Sequence, residues 1–429
     1  MTVPKHIHMI GIGGIGMSAL AQLLAHRGAR VSGSDREESP ATKLLREKGI
    51  DVFIGNEPHM PESAELLVYS DAVPAENAER QRARERGIKQ TSYFEMLGIV
   101  SRGAYTIAVA GTHGKTTTTG MVAAVLKAAG KEPTAIVGSF VRDFGSNFLP
   151  GRRELFVVEA CEYRDHLLEL SPDVLVITNI ELDHTDYFPS LSAMQTTFRA
   201  AVERVPEGGC IVTDPSHPAI APTLSQAAAR IVDYTKESVP ALKLIGEFNR
   251  ANARAAKCAA RAAFSELDEH SIDEALSSFR GSWRRFEYKG EVQGALVYDD
   301  YAHHPTAIRA TLEAARQAYP DKKLTVVFHP HLYSRTRDLF DDFATALADA
   351  DKVILAPIYA AREAPIEGVT SEALAEKIST LGTPAQSFAS LAEVRDALVA
   401  TRQKPQATGL IITMGAGDIY KVAEQLTEE

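Results

Sequence analysis

The run Gly111-Thr112-His113-Gly114-Lys115-Thr116-Thr117 follows the apolar stretch Tyr105–Ala110 and opens a segment of helical length. Its residue types suit phosphate chemistry. Glycines let backbone N–H groups close around phosphate oxygens, a lysine meets their charge, and a hydroxyl suits a magnesium ion. The spacing departs from the standard P-loop, because Val109 stands where that loop has its first glycine. The logic is unchanged, and a nucleoside-triphosphate site is preferred over a solvated lysine at a helix start.

A magnesium triphosphate needs further hard or borderline ligands. Glu159 ends the strand-like Leu155–Glu159, and His184 follows Val174–Asn179 in the run Asn179-Ile-Glu-Leu-Asp-His184. In a parallel sheet the C-terminal strand ends share one edge with the phosphate loop, so both residues are candidates for that edge. Each taken singly is equally suited to structural hydrogen bonding.

Two further strand ends carry polar chemistry. Gly11-x-Gly13-x-x-Gly16 sits between an apolar strand and a helix, where glycines allow a tight turn and a diphosphate at the helix N-terminus. Asp35 follows the next strand, at the distance where an acidic residue meets a ribose hydroxyl. That motif reads as a Rossmann-like nucleotide site and does not separate NAD from a UDP-sugar. Towards the C-terminus, Asp299-Asp300-Tyr301-Ala302-His303-His304-Pro305 and His329-Pro-His331-Leu-Tyr-Ser-Arg335 end successive strands. The paired histidines lack accompanying cysteines and sit among turn-forming prolines, so a polar substrate at the sheet edge is favoured over zinc. Met414-Gly-Ala-Gly417-Asp418 reads as one more strand-to-helix turn.

Elements must hold these loops. Short β-branched runs alternate with helix-length segments almost throughout, which predicts parallel sheets flanked by helices. Three blocks are legible. The first has strands at Ile7–Ile12 and Ala29–Ser34 and closes around Leu97–Ala104. The second runs from Tyr105–Ala110 through Leu155–Glu159, Val174–Asn179 and Cys210–Thr213 to the Gly281 turn. The third has strands near Leu296–Asp299, Leu324–Phe328, Val353–Ala356 and Leu410–Thr413. At 429 residues two or three domains are expected. The formal net charge of −10 argues against nucleic acid or an anionic membrane as a general partner. Cys161, Cys210 and Cys258 have no C-x-x-C spacing and read as reduced thiols in a cytoplasmic protein. No apolar run of membrane-spanning length and no secretory leader pattern occur, so membrane insertion is not expected.

With those residues in hand, the chain resembles the Mur ligase family over essentially its whole length. The carrying stretches are HMIGIGGIGMSALA from His8, YSDAVPAEN from Tyr69, AVAGTHGKTTTT from Ala108, FVVEACEYRDHLLELSPD from Phe156, ITNIELDHTDYF from Ile177, WRRFE from Trp283, DDYAHHPTAI from Asp299 and FHPHLYSRT from Phe328. The resemblance implies an α/β fold of three domains. A Rossmann-like N-terminal domain (1–104) would bind the UDP substrate, and a central P-loop-type ATPase domain (105–284) would bind ATP. A C-terminal Rossmann-like domain (285–429) would close over the amino acid. The implied activity joins L-alanine to the lactyl carboxylate of UDP-N-acetylmuramate with ATP and Mg2+, in peptidoglycan precursor synthesis. The alternative is the recycling branch, which joins a preformed tripeptide to the same acceptor. Implied partners are the two substrates only, in a monomer or weak homodimer.

The same resemblance implies roles residue by residue. Gly13, Gly14, Ile15, Gly16, Met17 and Ser18 would meet the UDP diphosphate, with Asp35 near uridine. Ser70 and His113 would contact the muramic acid side. Gly111, Thr112, Gly114, Lys115, Thr116 and Thr117 would hold the ATP phosphates, and Thr116, Glu159 and His184 the magnesium. Asn249 and Asn252 would reach adenine, Arg285 a phosphate and Asp300 the ribose. Tyr301, His303, His331 and Arg335 would form the amino-acid pocket, where Lys115, His184 and His303 are the residues assigned to catalysis. Three departures stand out. Phe248 occupies a position where histidine is usual, Asp214–Gly246 is shorter than in typical relatives, and Leu332 replaces an arginine found in some of them. No lysine lies between His184 and Lys236, so the carbamylated lysine of several sister ligases is not expected.

The implied mechanism is phosphorylation of the lactyl carboxylate by ATP, attack of the amine on the acyl phosphate, and release of ADP and phosphate. Positioning and charge neutralisation carry most of that reaction, and domain closure would keep water from the acyl phosphate.

Overall fold

The computed structural model describes residues 4–361, 363–401 and 409–428. Among these, three sheets form, and their strands fall at β1 (His6–Ile10), β2 (Arg30–Asp35), β3 (Asp51–Ile54), β4 (Leu66–Tyr69) and β5 (Lys89–Ser92) for the first. The second comprises β6 (Tyr105–Ala110), β7 (Pro133–Val141), β8 (Ser146–Leu149), β9 (Arg152–Glu159), β10 (Val174–Ile177), β11 (Cys210–Thr213) and β12 (Arg230–Asp233). The third comprises β13 (Glu287–Val292), β14 (Ala295–Asp300), β15 (Lys323–Phe328), β16 (Lys352–Leu355), β17 (Ala385–Ser387) and β18 (Gly409–Met414).

The orders are β3-β2-β1-β4-β5, β12-β11-β10-β6-β9-β7-β8 and β13-β14-β18-β15-β16-β17. Pairing is parallel throughout the first sheet. The expectation of parallel sheets meets two exceptions at sheet edges, where β8 and β13 run antiparallel to β7 and β14. Both are joined to their neighbours by short turns, which antiparallel pairing permits and parallel pairing does not. The inner strands β1, β6 and β10 are wholly or almost wholly buried, as strands covered by helices on both faces must be. In the third sheet the two-residue period is explicit. Val326 and Phe328 of β15 enter one apolar cluster with Phe343 and Leu347, while Val327 enters another with Ile354 and Val422.

The chain divides into two compact units. The first holds residues through Glu181, Ser192–Ala241 and Ala251–Arg280, and therefore the first two sheets. A buried amide knot joins those sheets. Gln22, on the helix Ile15–His26, donates to Asn147 Oδ1 (2.9 Å) and accepts from Ser146 Oγ (2.9 Å), and Asn147 Nδ2 donates to Ile15 O (2.6 Å). The segment after β12 is pinned here through the fully buried Lys257. Its ammonium donates to Ser238 O (3.0 Å), Glu269 (2.9 Å) and Asp273 (2.9 Å). The second unit holds Leu182–Leu191, Leu242–Arg250 and Gly281 onward. No helix among the described residues is long and apolar enough to cross a membrane.

Candidate functional site

In the first unit the phosphate loop leaves β6, which lies between β10 and β9. Gly111 (φ +127°) and Gly114 (φ +82°) adopt backbone angles that favour glycine, and a Cβ at either would lie 2.2 Å from Thr178 Oγ1 or 2.3 Å from Asn252 Oδ1. The segment after β10 clamps the loop. Asn179 accepts from His113 N through Oδ1 (2.9 Å), accepts from Thr112 N through its carbonyl (3.1 Å), and donates Nδ2 to His113 O (3.0 Å). Thr112 Oγ1 donates to Glu181 O (3.0 Å) and accepts from Glu181 N (2.9 Å). The helix Lys115–Ala128 then starts at Gly114 with no side-chain cap. Its first N–H groups lie at the positive end of the helix dipole, which favours an anion.

Lys115 is turned onto its own loop. Its ammonium donates to Gly111 O (2.5 Å), Thr112 O (3.2 Å) and both oxygens of Glu162 (3.1 Å). Burial works against its charge, but Glu162, together with Cys161 and Glu159, outweighs that and holds Lys115 above the ordinary lysine value. Thr116 Oγ1 donates to Glu159 Oε1 (3.2 Å), and Glu159 Oε2 accepts from Gly138 N (2.8 Å). Two oxygen donors therefore stand side by side next to the loop, a set that fits a hard divalent cation. Thr117 is buried in the helix. His113 Nε2 meets Glu181 Oε2 at 2.9 Å. Cys161 is no rival nucleophile, since burial pushes its thiol up to about 12 and leaves it protonated at neutral pH.

The glycine turn of the first sheet is built from the backbone. Gly11 N and Ile12 N donate to Ser34 O (2.8 and 3.2 Å), and Gly13 N donates to Asp35 Oδ2 (2.8 Å). Asp35, expected near uridine, thus ties the turn itself and also accepts from Arg36 N (2.8 Å). Gly14 precedes the helix Ile15–His26 without a side-chain cap. A Cβ at Gly16 would lie 2.6 Å from the Tyr93 ring, so glycine there is a packing requirement. Met17 and Ser18 have buried side chains, with Ser18 Oγ donating to Ile15 O (2.9 Å). Ser18 N also donates to Gly14 O (2.8 Å), so neither its hydroxyl nor its N–H is turned towards a ligand. Ser70, at the end of β4, packs beside Gly11.

In the second unit, Asp183 and Arg335 form a buried pair at 2.7 Å with side chains 8% and 7% exposed. Burial works against the Asp183 charge, yet Arg335, with neighbouring histidines, holds the carboxyl well below the usual carboxylate range. Arg335 Nη1 also donates to His331 Nδ1 (3.2 Å), and His331 stacks on Tyr359 with ring centres 5.5 Å apart. Arg335, expected in the amino-acid pocket, is already held by a carboxylate of this chain. His303 Nδ1 donates to Tyr301 O (2.8 Å), which leaves Nε2 as the acceptor. Burial and the Arg335 guanidinium keep the His303 imidazole well below the ordinary histidine value, so it is neutral at pH 7. His184 follows Asp183, with its N–H on Asp183 Oδ1 (2.7 Å) and a positive φ of 53°. Leu332 adopts φ 69°, ψ 136°, unusual for a branched side chain, and donates its N–H to Tyr359 O (2.9 Å).

Asp300, at the end of β14, accepts from Phe286 N and Ala302 N (both 2.7 Å), and burial pushes its carboxyl up to about 6. Arg285 lies over the Tyr301 ring at 5.0 Å. Asn249 donates Nδ2 to Ile245 O (2.7 Å), whereas Asn252, one helical turn on, belongs to the first unit beside Gly114. Thus Lys115, Thr116 and Glu159 share one unit, and His184, His303, His331 and Arg335 share the other. Sequence reasoning did not single out Asn179, Glu162, Asp183 or Arg284. Buried Arg284 ties the Met414–Asp418 turn to β14 by donating to Asp299 Oδ2 (2.7 Å), Gly417 O (2.6 Å) and Gly415 O (2.5 Å). For Glu162, Asn179 and Asp183 the available signal was position, because they lie on the segments that follow β9 and β10, whereas Arg284 sits between a helix and β13.

Comparison with known proteins gives concordant matches. Residues 6–105 match the Mur ligase family, catalytic domain; residues 109–241 match the Mur ligase middle domain; and residues 284–417 match the Mur ligase, glutamate ligase domain. A UDP-N-acetylmuramate–L-alanine ligase of Alkaliphilus metalliredigens is 39% identical, with 99% of this chain and 97% of that protein covered. One of Clostridium botulinum is 37% identical over 98% of this chain and 97% of its own length. Among solved structures, the UDP-N-acetylmuramate–alanine ligase of Thermotoga maritima is similar at TM-score 0.81 and 28% identity, covering 99% of this chain and 98% of its own. A murein peptide ligase of Psychrobacter arcticus is similar at TM-score 0.73 and 25% identity, with 98% of each chain covered.

Proposed function

The chain belongs to the Mur ligase family, and from that premise we propose that it joins L-alanine to the lactyl carboxylate of UDP-N-acetylmuramate at the expense of ATP. One observation carries the reading. The Gly111–Thr117 loop, with Lys115, Thr116 and Glu159 gathered beside it, sits in a chain matching alanine-adding ligases at 37–39% identity over nearly its whole length. The reaction serves peptidoglycan precursor synthesis. Cytosolic location is part of the proposal, supported by three free cysteines.

A carboxylate is a poor acylating agent because its leaving group would be oxide. Transfer of the γ-phosphoryl group to it gives an acyl phosphate, whose leaving group is phosphate. Amine attack then gives a tetrahedral intermediate that collapses to amide and phosphate. The loop N–H groups and Lys115 hold and neutralise the phosphates through that sequence. Thr116 and Glu159 would hold Mg2+, which supplies charge neutralisation on the nucleotide when bound. His303, neutral and fixed through Nδ1 to Tyr301 O, presents Nε2 as the acceptor for a proton of the incoming amine. His331 and Arg335 are oriented by Asp183, so the amino-acid carboxylate would meet a guanidinium already fixed in place.

Phosphate release from ATP, measured with UDP-N-acetylmuramate and each candidate amine, tests the proposal. L-Alanine should give the highest kcat/KM, ahead of glycine and L-serine. Discrimination of about 1–3 kcal/mol per methyl group is what an apolar pocket affords. A higher kcat/KM for a preformed tripeptide would move the protein to the recycling branch, and no amine-dependent release would refute the ligase reading.

A further inference from the structure

We infer that Glu162 is a positioning residue: its buried carboxylate is the fixed counter-ion that holds the Lys115 ammonium at the phosphate loop, so that an arriving phosphate replaces the loop carbonyls and not the carboxylate. The inference rests on the reading of Gly111–Thr117 as a triphosphate site.

An ammonium has three N–H groups, and Lys115 spends them on Gly111 O (2.5 Å), Thr112 O (3.2 Å) and the Glu162 carboxylate (3.1 Å to each oxygen). To bind a phosphate oxygen it must give one of these up. The three are unequal. The two carbonyls are neutral dipoles of the phosphate loop. Glu162 is a full charge whose side chain is 1% exposed, so water cannot replace the ammonium there. A buried carboxylate stripped of its cation is far more costly than a carbonyl stripped of a hydrogen bond. Lys115, 14% exposed, is the partner a ligand can reach.

Local backbone fixes where the carboxylate points. Glu162 immediately precedes the short helical stretch Tyr163–Glu169, in which Arg164 and Asp165 sit at φ 52° and 61°. Asp165 N donates to Glu162 O (3.1 Å), and Thr197 Oγ1 donates to Asp165 Oδ1, so this rare conformation is held from outside. A surface ion pair would need no such arrangement. The consequence is specific. Glu162 carries the same sign of charge as a nucleotide, so removing it should leave ground-state affinity intact or improve it, while the unanchored lysine no longer meets the transferring phosphoryl group.

The test uses the full chain with E162Q, E162D, K115M and the double variant E162Q/K115M. Read-outs are ADP affinity by calorimetry, ligase kcat and KM for ATP with UDP-N-acetylmuramate and L-alanine, and thermal melting. E162Q should lower kcat about tenfold or more with ADP affinity unchanged or tighter, and E162D should recover a large part of kcat. The double variant should be no slower than K115M, because Glu162 acts through Lys115, and should melt above K115M, because it removes a buried charge that has lost the Lys115 ammonium. A kcat of E162Q within twofold of the parent, kcat and ADP affinity falling together, or multiplicative losses in the double variant would overturn the inference. If E162Q alone does not fold, the melts decide: a double variant melting at or below K115M overturns it, and one melting above supports it. A parent that binds ADP but makes no amide defeats the proposed function instead. The ADP titrations and melts then judge Glu162 independently.

Discussion

Replacing Asp183 by asparagine tests whether the C-terminal pocket is held together by one buried ion pair. Asp183 Oδ1 receives Arg335 Nη2 at 2.7 Å and His184 N at 2.7 Å. Asparagine keeps an acceptor oxygen for both but removes the charge, leaving the buried Arg335 guanidinium uncompensated. Breaking such a pair costs about 3–5 kcal/mol, and the retained hydrogen bonds put Asp183→Asn at the lower end, about 3 kcal/mol. For domains of this size each kcal/mol moves the melting temperature by about 2–4 °C, so a drop of roughly 6–12 °C at pH 7 is expected. The pH dependence has a definite sign. Folding depresses the Asp183 carboxyl, so its contribution is complete above the unfolded carboxyl value, about 4, and is lost as pH falls through the lower folded value. The gap between parent and variant should therefore be constant from pH 7 to about 5 and narrow below about 4. Calorimetric melts across that range supply the measurement, and amide formation should show a raised KM for L-alanine because Arg335 and His331 lose their common tether. A variant that melts within about 1 °C of the parent at pH 7, with unchanged KM, would refute the claim that this pair organises the pocket.

Three further outcomes are expected. Lys115→Ala should abolish ATP turnover while leaving calorimetric binding of UDP-N-acetylmuramate largely intact, because the Gly11–Gly16 turn is built on a different sheet; loss of both binding events in a folded variant would contradict this. Oxygen-18 placed in the lactyl carboxylate should appear in the released phosphate, and phosphate free of label would exclude the acyl phosphate. Gly138→Ala should lower kcat at least about tenfold, since the new Cβ would lie 2.3 Å from Glu159 Oε2 and displace that carboxylate from Thr116; turnover equal to the parent would show that Glu159 placement is unimportant.

The sequence by itself determined the parts whose geometry is local. Gly111–Thr117 and Gly11–Gly16 declare themselves because a phosphate-binding turn needs particular backbone angles and N–H groups within a few residues, and glycine at the right spacing encodes both. The alternation of strands and helices follows from short-range hydrophobic periodicity in the same way, and β14, β15 and β18 lie close to where that periodicity puts them. The antiparallel edges β8 and β13 did not show, β13 because it carries little apolar pattern and β8 because it is only four residues long. Tertiary structure alone decided which charges are spent on the protein and which remain for a ligand. Arg335 reads as a free anchor in the sequence until its partner Asp183, 152 positions away, is brought to it. Asp35 reads as a ribose contact until its oxygen is found on Gly13 N. Lys115 reads as an unattended cation until Glu162, 47 positions away, is found against it. A buried charge must be paired, but pairing depends on which strand ends become neighbours. That is a property of sheet order, and no local spacing encodes it.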